Sequence, residues 1–216
     1  MKVITVGCMK GGVGKSTLST NLAVVAKKAG LRVLLVDADP QKSVLAWSVG
    51  RDADDIAAIG QATVKITTAL PSMADSYDLA IVDCGGRDSQ VFRAALACAD
   101  LIIVPVLPSY FDVVATTETL AAISELKIFK PNIEAVIVIN QAISGKSTML
   151  KEAFEGISEM APDFKVLETK ISRKEIYKKA AAEGKGVADF SLWSEETKEM
   201  NALFDEIMTI LVGAPE

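Results

Sequence analysis

The feature that most constrains this chain is a glycine-rich stretch, Met9 to Thr17, which separates two runs of different periodicity. The apolar run before it, Val3 to Cys8, predicts a strand, and the amphipathic run after it, Leu18 to Ala29, predicts a helix. Glycine allows turn conformations that direct successive N–H groups into one concavity, and the N-terminus of a helix adds further free N–H groups. A strand, a glycine-rich turn and a helix in this order predict a cradle for a polyphosphate.

The side chains of the stretch supply what the backbone cannot. Lys15 brings a mobile positive charge to the β- and γ-phosphates, and the Ser16 hydroxyl is placed to ligate a magnesium ion that bridges them. Thr17 is placed to contact the α-phosphate of the same ligand. The stretch therefore predicts binding of a nucleoside polyphosphate with Mg²⁺, and its nucleotide-binding residues are Lys10, Gly11, Gly12, Val13, Gly14, Lys15, Ser16 and Thr17.

One position departs from the generic phosphate-binding pattern, because Met9 stands where glycine is usual and Lys10 follows it. The sequence Lys10-Gly11-Gly12-x-Gly14-Lys15-Ser16 resembles the deviant signature of the ParA/MinD superfamily of ATPases. This resemblance implies that Lys10 reaches across a nucleotide-sandwich homodimer to the phosphates of the partner. Lys10 and Lys15 are then both candidate catalytic residues.

Aspartates close two further apolar runs, Arg32 to Asp37 and Asp78 to Asp83. Carboxylates at the C-terminal ends of parallel strands lie in the crevice where an open α/β sheet binds its ligand. The resemblance implies that Asp37 and Asp83 act in the magnesium shell and that Asp39 polarises the attacking water. An alternative for Asp39, compatible with catalysis, is capping of a helix from Lys42 to Trp47.

Two other segments adjoin the predicted site. Gly85 and Gly86 form either a loop that moves on hydrolysis, as the resemblance implies, or an ordinary strand-to-helix turn. A predicted strand, Glu134 to Ile139, leads into Asn140 and Gln141, at a position that resembles the family's contact to the adenine base; Asn140 is the candidate residue. A further strand is predicted over Thr63 to Ile66. A helix predicted over Phe111 to Lys127 has a stripe of apolar or small residues, which forms either part of the core, the default interpretation, or a dimer face.

Strands alternate with helices along the whole chain. We expect an α/β fold of the P-loop NTPase type, in which helices cover both faces of a mostly parallel, twisted sheet. A length of 216 residues fits a single domain over residues 1–216. The chain contains no histidine and begins directly on a strand, so we expect no histidine-based metal chemistry and a cytoplasmic protein.

The basic side chains are concentrated late in the sequence. From Lys165 to Lys185 the chain has seven lysines and arginines against three glutamates, although the formal net charge of the protein is -5. A helix predicted over Arg173 to Glu183 would place Lys174 and Lys178 on one face. Basic stripes bind nucleic acid phosphates, and two stripes in a dimer bind more strongly than one. The residues predicted to bind DNA are Arg173, Lys174, Lys178 and Lys179.

Three classes of function are compatible with these motifs. The resemblance is closest to the small, ParF-like partition ATPases, which implies an ATP dimer that binds DNA without sequence preference, associates with the nucleoid and is released when a ParB-type or adaptor partner stimulates hydrolysis. A MinD-like membrane-positioning ATPase is disfavoured, because the basic residues from Gly186 onward are limited to Lys198. A metabolic P-loop enzyme stays open, as does the cargo, which is a plasmid, a chromosome or a protein complex.

Overall fold

A computed structural model of the protein describes residues 1–53, 55–87, 89–143 and 147–213. Seven strands of the described chain form one sheet in the order β3-β2-β4-β1-β5-β6-β7, and all neighbours pair in parallel. The strands are β1 (Lys2–Val6), β2 (Val33–Ala38), β3 (Ala57–Gly60), β4 (Leu79–Cys84), β5 (Leu101–Val106), β6 (Glu134–Ala142) and β7 (Lys165–Ser172).

Helices cover both faces of this sheet, as predicted. One face carries α3 (Ile66–Ser72), α4 (Gln90–Cys98), α5 (Tyr110–Phe129) and α6 (Ser147–Met160). The other carries α1 (Lys15–Lys28), α2 (Ser43–Val49), α7 (Glu175–Ala182), α8 (Val187–Phe190) and α9 (Glu195–Val212). No helix of the described residues is both long enough and apolar enough to cross a membrane.

The central strands read as uninterrupted apolar runs because both of their faces are buried. In β2, Leu34 and Val36 pack into the core on one side of the sheet, whereas Val33 and Leu35 pack into the core on the other. All four side chains are at most 3% exposed. This double burial explains why the strand pattern was recognisable in the sequence.

The strand register brings the predicted site together. Asp37 in β2 lies beside Asp83 in β4, and Asp83 lies beside Val6 at the end of β1. Because all three strands are parallel, the two carboxylates and the glycine-rich turn after β1 meet at one edge of the sheet.

The predicted strand over Thr63–Ile66 is wrong. A strand would place Val64 and Ile66 on the same face, but Val64 is 48% exposed and Ile66 is fully buried as the first residue of α3. The strand in this region is β3, four residues of weak β-propensity that pair only with β2.

The stripe predicted on the long helix is only partly correct. Val113 and Leu120 are buried in the core, whereas Val114, Ala121 and Ser124 are exposed. The buried stripe of α5 instead includes Thr116 and Thr119, whose hydroxyl groups are hydrogen-bonded. Polar but satisfied side chains on the buried face concealed its true orientation.

Candidate functional site

The glycine-rich turn leads directly into α1, and Gly12 and Gly14 have φ angles of 77° and 89°. These left-handed conformations favour glycine because side chains with a Cβ rarely adopt them. At Gly14 a second constraint applies, since a Cβ would lie 2.4 Å from the Asn140 side-chain nitrogen. The turn therefore requires glycine here both for its conformation and for its packing.

Two side chains from the end of β6 brace the turn. The Asn140 amide donates a hydrogen bond to the Val13 carbonyl at 2.7 Å, and the Gln141 amide donates one to the Gly12 carbonyl at 3.1 Å. Asn140 is 4% exposed and lines the cleft above the turn. The amide donors of both residues predicted near the adenine base are thus used on the turn itself.

Lys15 lies under the turn with its ammonium group near the backbone of Lys10. The side chain is largely buried, and its Nζ donates to the Lys10 carbonyl at 3.0 Å. A Cβ built on Gly86 would lie 3.4 Å from this Nζ, so the loop after β4 runs directly against the turn. Lys15 is positioned to offer positive charge to a ligand held by the turn.

Ser16 and Asp83 form the adjoining polar pair. The Ser16 hydroxyl donates to one oxygen of Asp83 at 2.6 Å, and the Ser19 hydroxyl donates to the other at 3.3 Å. Asp83 is fully buried, and this burial raises its pKa to about 7 although the bond from Ser16 opposes the shift. A hydroxyl and a carboxyl fixed in this way are ligands of the type that Mg²⁺ accepts, directly or through water.

Asp37 and Asp39 differ in their surroundings. Asp37 is buried, and its two oxygens accept hydrogen bonds from the backbone N–H groups of Asp39 and Leu45. Asp39 is half-buried in the cleft wall and accepts one bond, from the Gln41 N–H at 2.9 Å. The alternative capping role for Asp39 is wrong, because α2 begins at Ser43 and its first-turn N–H group at Leu45 bonds to Asp37 rather than to Asp39.

Lys10 contacts a residue of its own chain. Its ammonium group pairs with the Asp112 carboxylate in the first turn of α5, and the Ser109 hydroxyl donates to the second oxygen of Asp112. Burial alone would raise the pKa of Asp112, but the bonds from Lys10 and Ser109 hold it below its usual value. Asp112 carried no sequence signal, because it lies far along the chain from the turn.

A cleft of about 920 Å³ opens above these residues. Its wall includes the turn, the Asp39 segment, Gly85 to Arg87 and the residues that follow β7. Arg173, Lys174 and Lys178 belong to this wall, whereas Lys179 does not line it. Three of the four residues assigned to DNA therefore lie at the cleft, next to the phosphate-binding turn.

The helix that carries the basic segment begins later than predicted. The Arg173 N–H bonds to the Ala142 carbonyl, which prolongs the strand pairing, and Lys174 is the extended residue before α7. Lys174 therefore does not share a helix face with Lys178, which forms an ion pair with Glu175 at 3.0 Å. The stripe predicted from helical spacing is wrong in its first member.

Comparisons with known proteins agree with this geometry. Residues 4–187 match the CobQ/CobB/MinD/ParA nucleotide binding domain family. The maintenance of carboxysome distribution protein A of Halothiobacillus neapolitanus is 30% identical over 95% of both chains. The chromosome-partitioning ATPase Soj of Thermus thermophilus is 26% identical, over 95% of this chain and 94% of its own.

Solved structures share the fold at low sequence identity. Apo McdA of Cyanothece gives a TM-score of 0.82 at 17% identity, with 96% of this chain and 99% of that chain covered. The cell division ATPase MinD of Pyrococcus furiosus gives 0.74 at 18% identity, with 97% and 99% covered. These structures show the fold, and the match over residues 4–187 together with the 30% identical relative shows that the chain belongs to the CobQ/CobB/MinD/ParA nucleotide binding domain family as a ParA-type P-loop NTPase.

Proposed function

We propose that this protein, as a single domain, is a magnesium-dependent ATPase that positions a cargo by cycling between a monomer and an ATP-bound homodimer. The observation that carries the proposal is the glycine turn with buried Lys15 beneath it and the Ser16–Asp83 pair beside it. Fixed backbone donors, one mobile cation and one hydroxyl–carboxyl pair are together what a magnesium triphosphate requires.

The residues present fit the nucleotide and its metal. The N–H groups from Gly11 to Thr17 would hold the phosphates, and Lys15 would contact the β- and γ-phosphates. Ser16 would ligate Mg²⁺, with Asp83 and Asp37 acting through its water shell. The base would lie toward Asn140 and the wall formed by Arg173. Among the relatives, a Cyanothece McdA variant was solved with ATP and MinD of Pyrococcus horikoshii with Mg-ADP, which supports ATP and Mg²⁺ as ligands of this chain.

Hydrolysis would use Asp39 and Lys10. Asp39 faces the cleft with a carboxylate that accepts only one hydrogen bond from the described residues, so it is available to orient a water molecule. Lys10 would leave Asp112 and contact the phosphates of a second copy. Residues Lys10, Lys15 and Asp39 are the catalytic set of this proposal.

The surface along which the ATPase positions its cargo is proposed to be DNA, bound without sequence preference. The partner proposed to stimulate ATP hydrolysis is a ParB-type or adaptor protein. Arg173, Lys174 and Lys179 are exposed and form no ion pair with carboxylates of the described chain. The named functions of the Halothiobacillus and Thermus relatives, carboxysome distribution and chromosome partitioning, support a positioning role on the nucleoid.

The test of the nucleotide site is Lys15→Ala. Loss of one charge-assisted phosphate contact lowers affinity by about 10- to 100-fold, and we expect this loss for Mg-ATP in isothermal titration together with loss of turnover. Lys27→Ala is the matched control, because Lys27 lies in the last turn of the same helix. Equal ATP affinity and turnover in Lys15→Ala and the parent would refute the phosphate site.

The second test is the oligomeric state. With Mg-ATP, light scattering should give the mass of a dimer for the parent and for Asp39→Ala, and that of a monomer for Lys10→Ala. A parent that hydrolyses ATP but stays monomeric at all concentrations would instead support a metabolic enzyme.

A further inference from the structure

Arg87 is an arginine on the wall of the cleft to which the nucleotide site above gives no role. It follows Gly85 and Gly86 directly after β4, and its side chain is exposed. It forms no ion pair or hydrogen bond with the side chains that the structure describes, unlike Arg32, Arg51 and Arg93. An arginine at this position has its guanidinium group available for a ligand in the cleft.

The loop that carries Arg87 packs between the glycine-rich turn and the segment that carries Asp39. A Cβ on Gly86 would lie 3.4 Å from Lys15 Nζ and 3.5 Å from the Gly11 backbone nitrogen, and a Cβ on Gly85 would lie 3.6 Å from Asp39 Cγ. Consecutive Cα atoms are about 3.8 Å apart. The backbone of Arg87 therefore begins one residue from the phosphate cradle, within the span of its own side chain.

The local structure does not require this arginine. Helix α4 begins at Gln90, and its cap is supplied by Ser89, whose hydroxyl accepts the Phe92 N–H at 3.1 Å. The close approach at Gly86 depends on glycine and leaves the next side chain unconstrained. A purely structural role for Arg87 has no partner among the described residues.

We infer that Arg87 is a further catalytic residue, which binds the γ-phosphate of ATP held in its own chain. The guanidinium group presents parallel N–H donors that match two oxygens of one phosphoryl group, a contact that lysine cannot reproduce. Lys15 approaches the same phosphate from the turn, so the two cations share its negative charge. This inference rests on the proposed ATPase function and adds one residue to it.

In the reaction, a water oxygen forms a bond to the γ-phosphorus while the bond from that phosphorus to the β–γ bridging oxygen breaks. The electron pair of the broken bond stays on ADP, and the water proton passes to solvent or to the released phosphate. Arg87 transfers no proton. It donates hydrogen bonds to the oxygens of the moving phosphoryl group, where charge must be stabilised in the transition state.

The experiment compares Arg87→Ala, Arg87→Lys and the parent, with Arg32→Ala as an arginine control at the opposite edge of the sheet. Four quantities are measured: kcat and KM for Mg-ATP, the Kd of Mg-ADP, and the Kd of a non-hydrolysable ATP analogue. We expect kcat of Arg87→Ala to fall about 100-fold. The Kd of ADP should change by less than about twofold, because ADP lacks the γ-phosphate. Arg87→Lys should recover only part of kcat.

Two results would overturn the inference. One is parental kcat in Arg87→Ala, and the other is an equal loss of affinity for ADP and for the ATP analogue, which would assign Arg87 to another part of the nucleotide. A parent that neither binds nor hydrolyses ATP would refute the proposed function itself. In contrast, a parent that hydrolyses ATP as fast as Arg87→Ala would refute this inference alone. Thermal unfolding of each variant separates these outcomes from misfolding.

Discussion

The carboxylate of Glu206 in α9 accepts a hydrogen bond from the backbone N–H of Thr169 in β7, at 3.2 Å. The other oxygen of Glu206 accepts the N–H of Glu168 at 3.1 Å, where the register between β6 and β7 shifts. Glu199, about two turns earlier on the same face of α9, accepts the N–H and hydroxyl of Ser172. Acidic residues of α9 thus accept hydrogen bonds from backbone N–H groups of β7, an edge strand of the sheet, where unpaired N–H groups promote association with other chains.

Glu206→Ala should lower the free energy of unfolding by about 2 kcal/mol, because two N–H groups lose their acceptor. Asp205→Ala is the matched control, since Asp205 is the exposed neighbouring carboxylate on the same helix. Urea denaturation measures both. A loss no larger than that of the control would mean that water replaces the Glu206 carboxylate without cost.

The parts of the site that could be predicted are those in which the functional residues are close together in the sequence. The turn from Met9 to Thr17 and the carboxylates after two buried strands could be read directly, because each depends on residues adjacent in the chain. Contacts that join distant segments could not be read. Asp112 pairs with Lys10 although more than 100 residues separate them in the sequence. Glu206 has the sequence pattern of a solvent-exposed acidic residue, and only the packing of α9 against β7 shows that it accepts a backbone hydrogen bond.

Asp112→Asn should make ATP-dependent dimer formation easier. The substitution removes the charge that holds Lys10 within its own chain, and partly exposed ion pairs contribute up to about 1 kcal/mol. We expect the dimer to form at a concentration about threefold lower, as measured by light scattering with Mg-ATP. Adding Lys10→Ala to this variant should abolish the gain. Weaker dimerisation of Asp112→Asn would mean that Asp112 supports the active position of Lys10.

Asp39→Ala should separate ATP binding from hydrolysis. The phosphate cradle is left intact, but no carboxylate orients the water, so we expect turnover to fall about 100-fold or more with unchanged ATP affinity. Asp39→Asn is the informative companion, because its amide oxygen can still accept the Gln41 N–H that the native residue accepts. Equal loss in both variants supports the carboxylate role. Retained activity in Asp39→Asn would assign Asp39 to the loop geometry.

The raised pKa of Asp83 predicts that the stability of the protein depends on pH. Burial raises its pKa from 3.8 to about 7, so the folded protein retains a proton that the unfolded chain releases at lower pH. Stability should therefore decrease as the pH rises between these two values and level off above the higher one. Between about pH 5 and pH 8 the free energy of unfolding should fall on the order of 3 kcal/mol more in the parent than in Asp83→Asn. Parallel urea-denaturation curves for the two proteins across this range would contradict the raised pKa.

Lys179 offers the cleanest test of DNA binding, because Lys174 and Lys178 line the cleft and their charge reversal would also disturb the nucleotide. The Lys179 ammonium group lies 5.4 Å from the Phe190 ring, outside the residues that line the cleft. Lys179→Glu should weaken binding of the ATP form to duplex DNA and reduce the slope of log affinity against log salt by about 1 for each lost phosphate contact. ATP affinity and dimer mass serve as controls, and both should match the parent. An unchanged salt slope, measured by fluorescence anisotropy, would exclude Lys179 from the DNA surface.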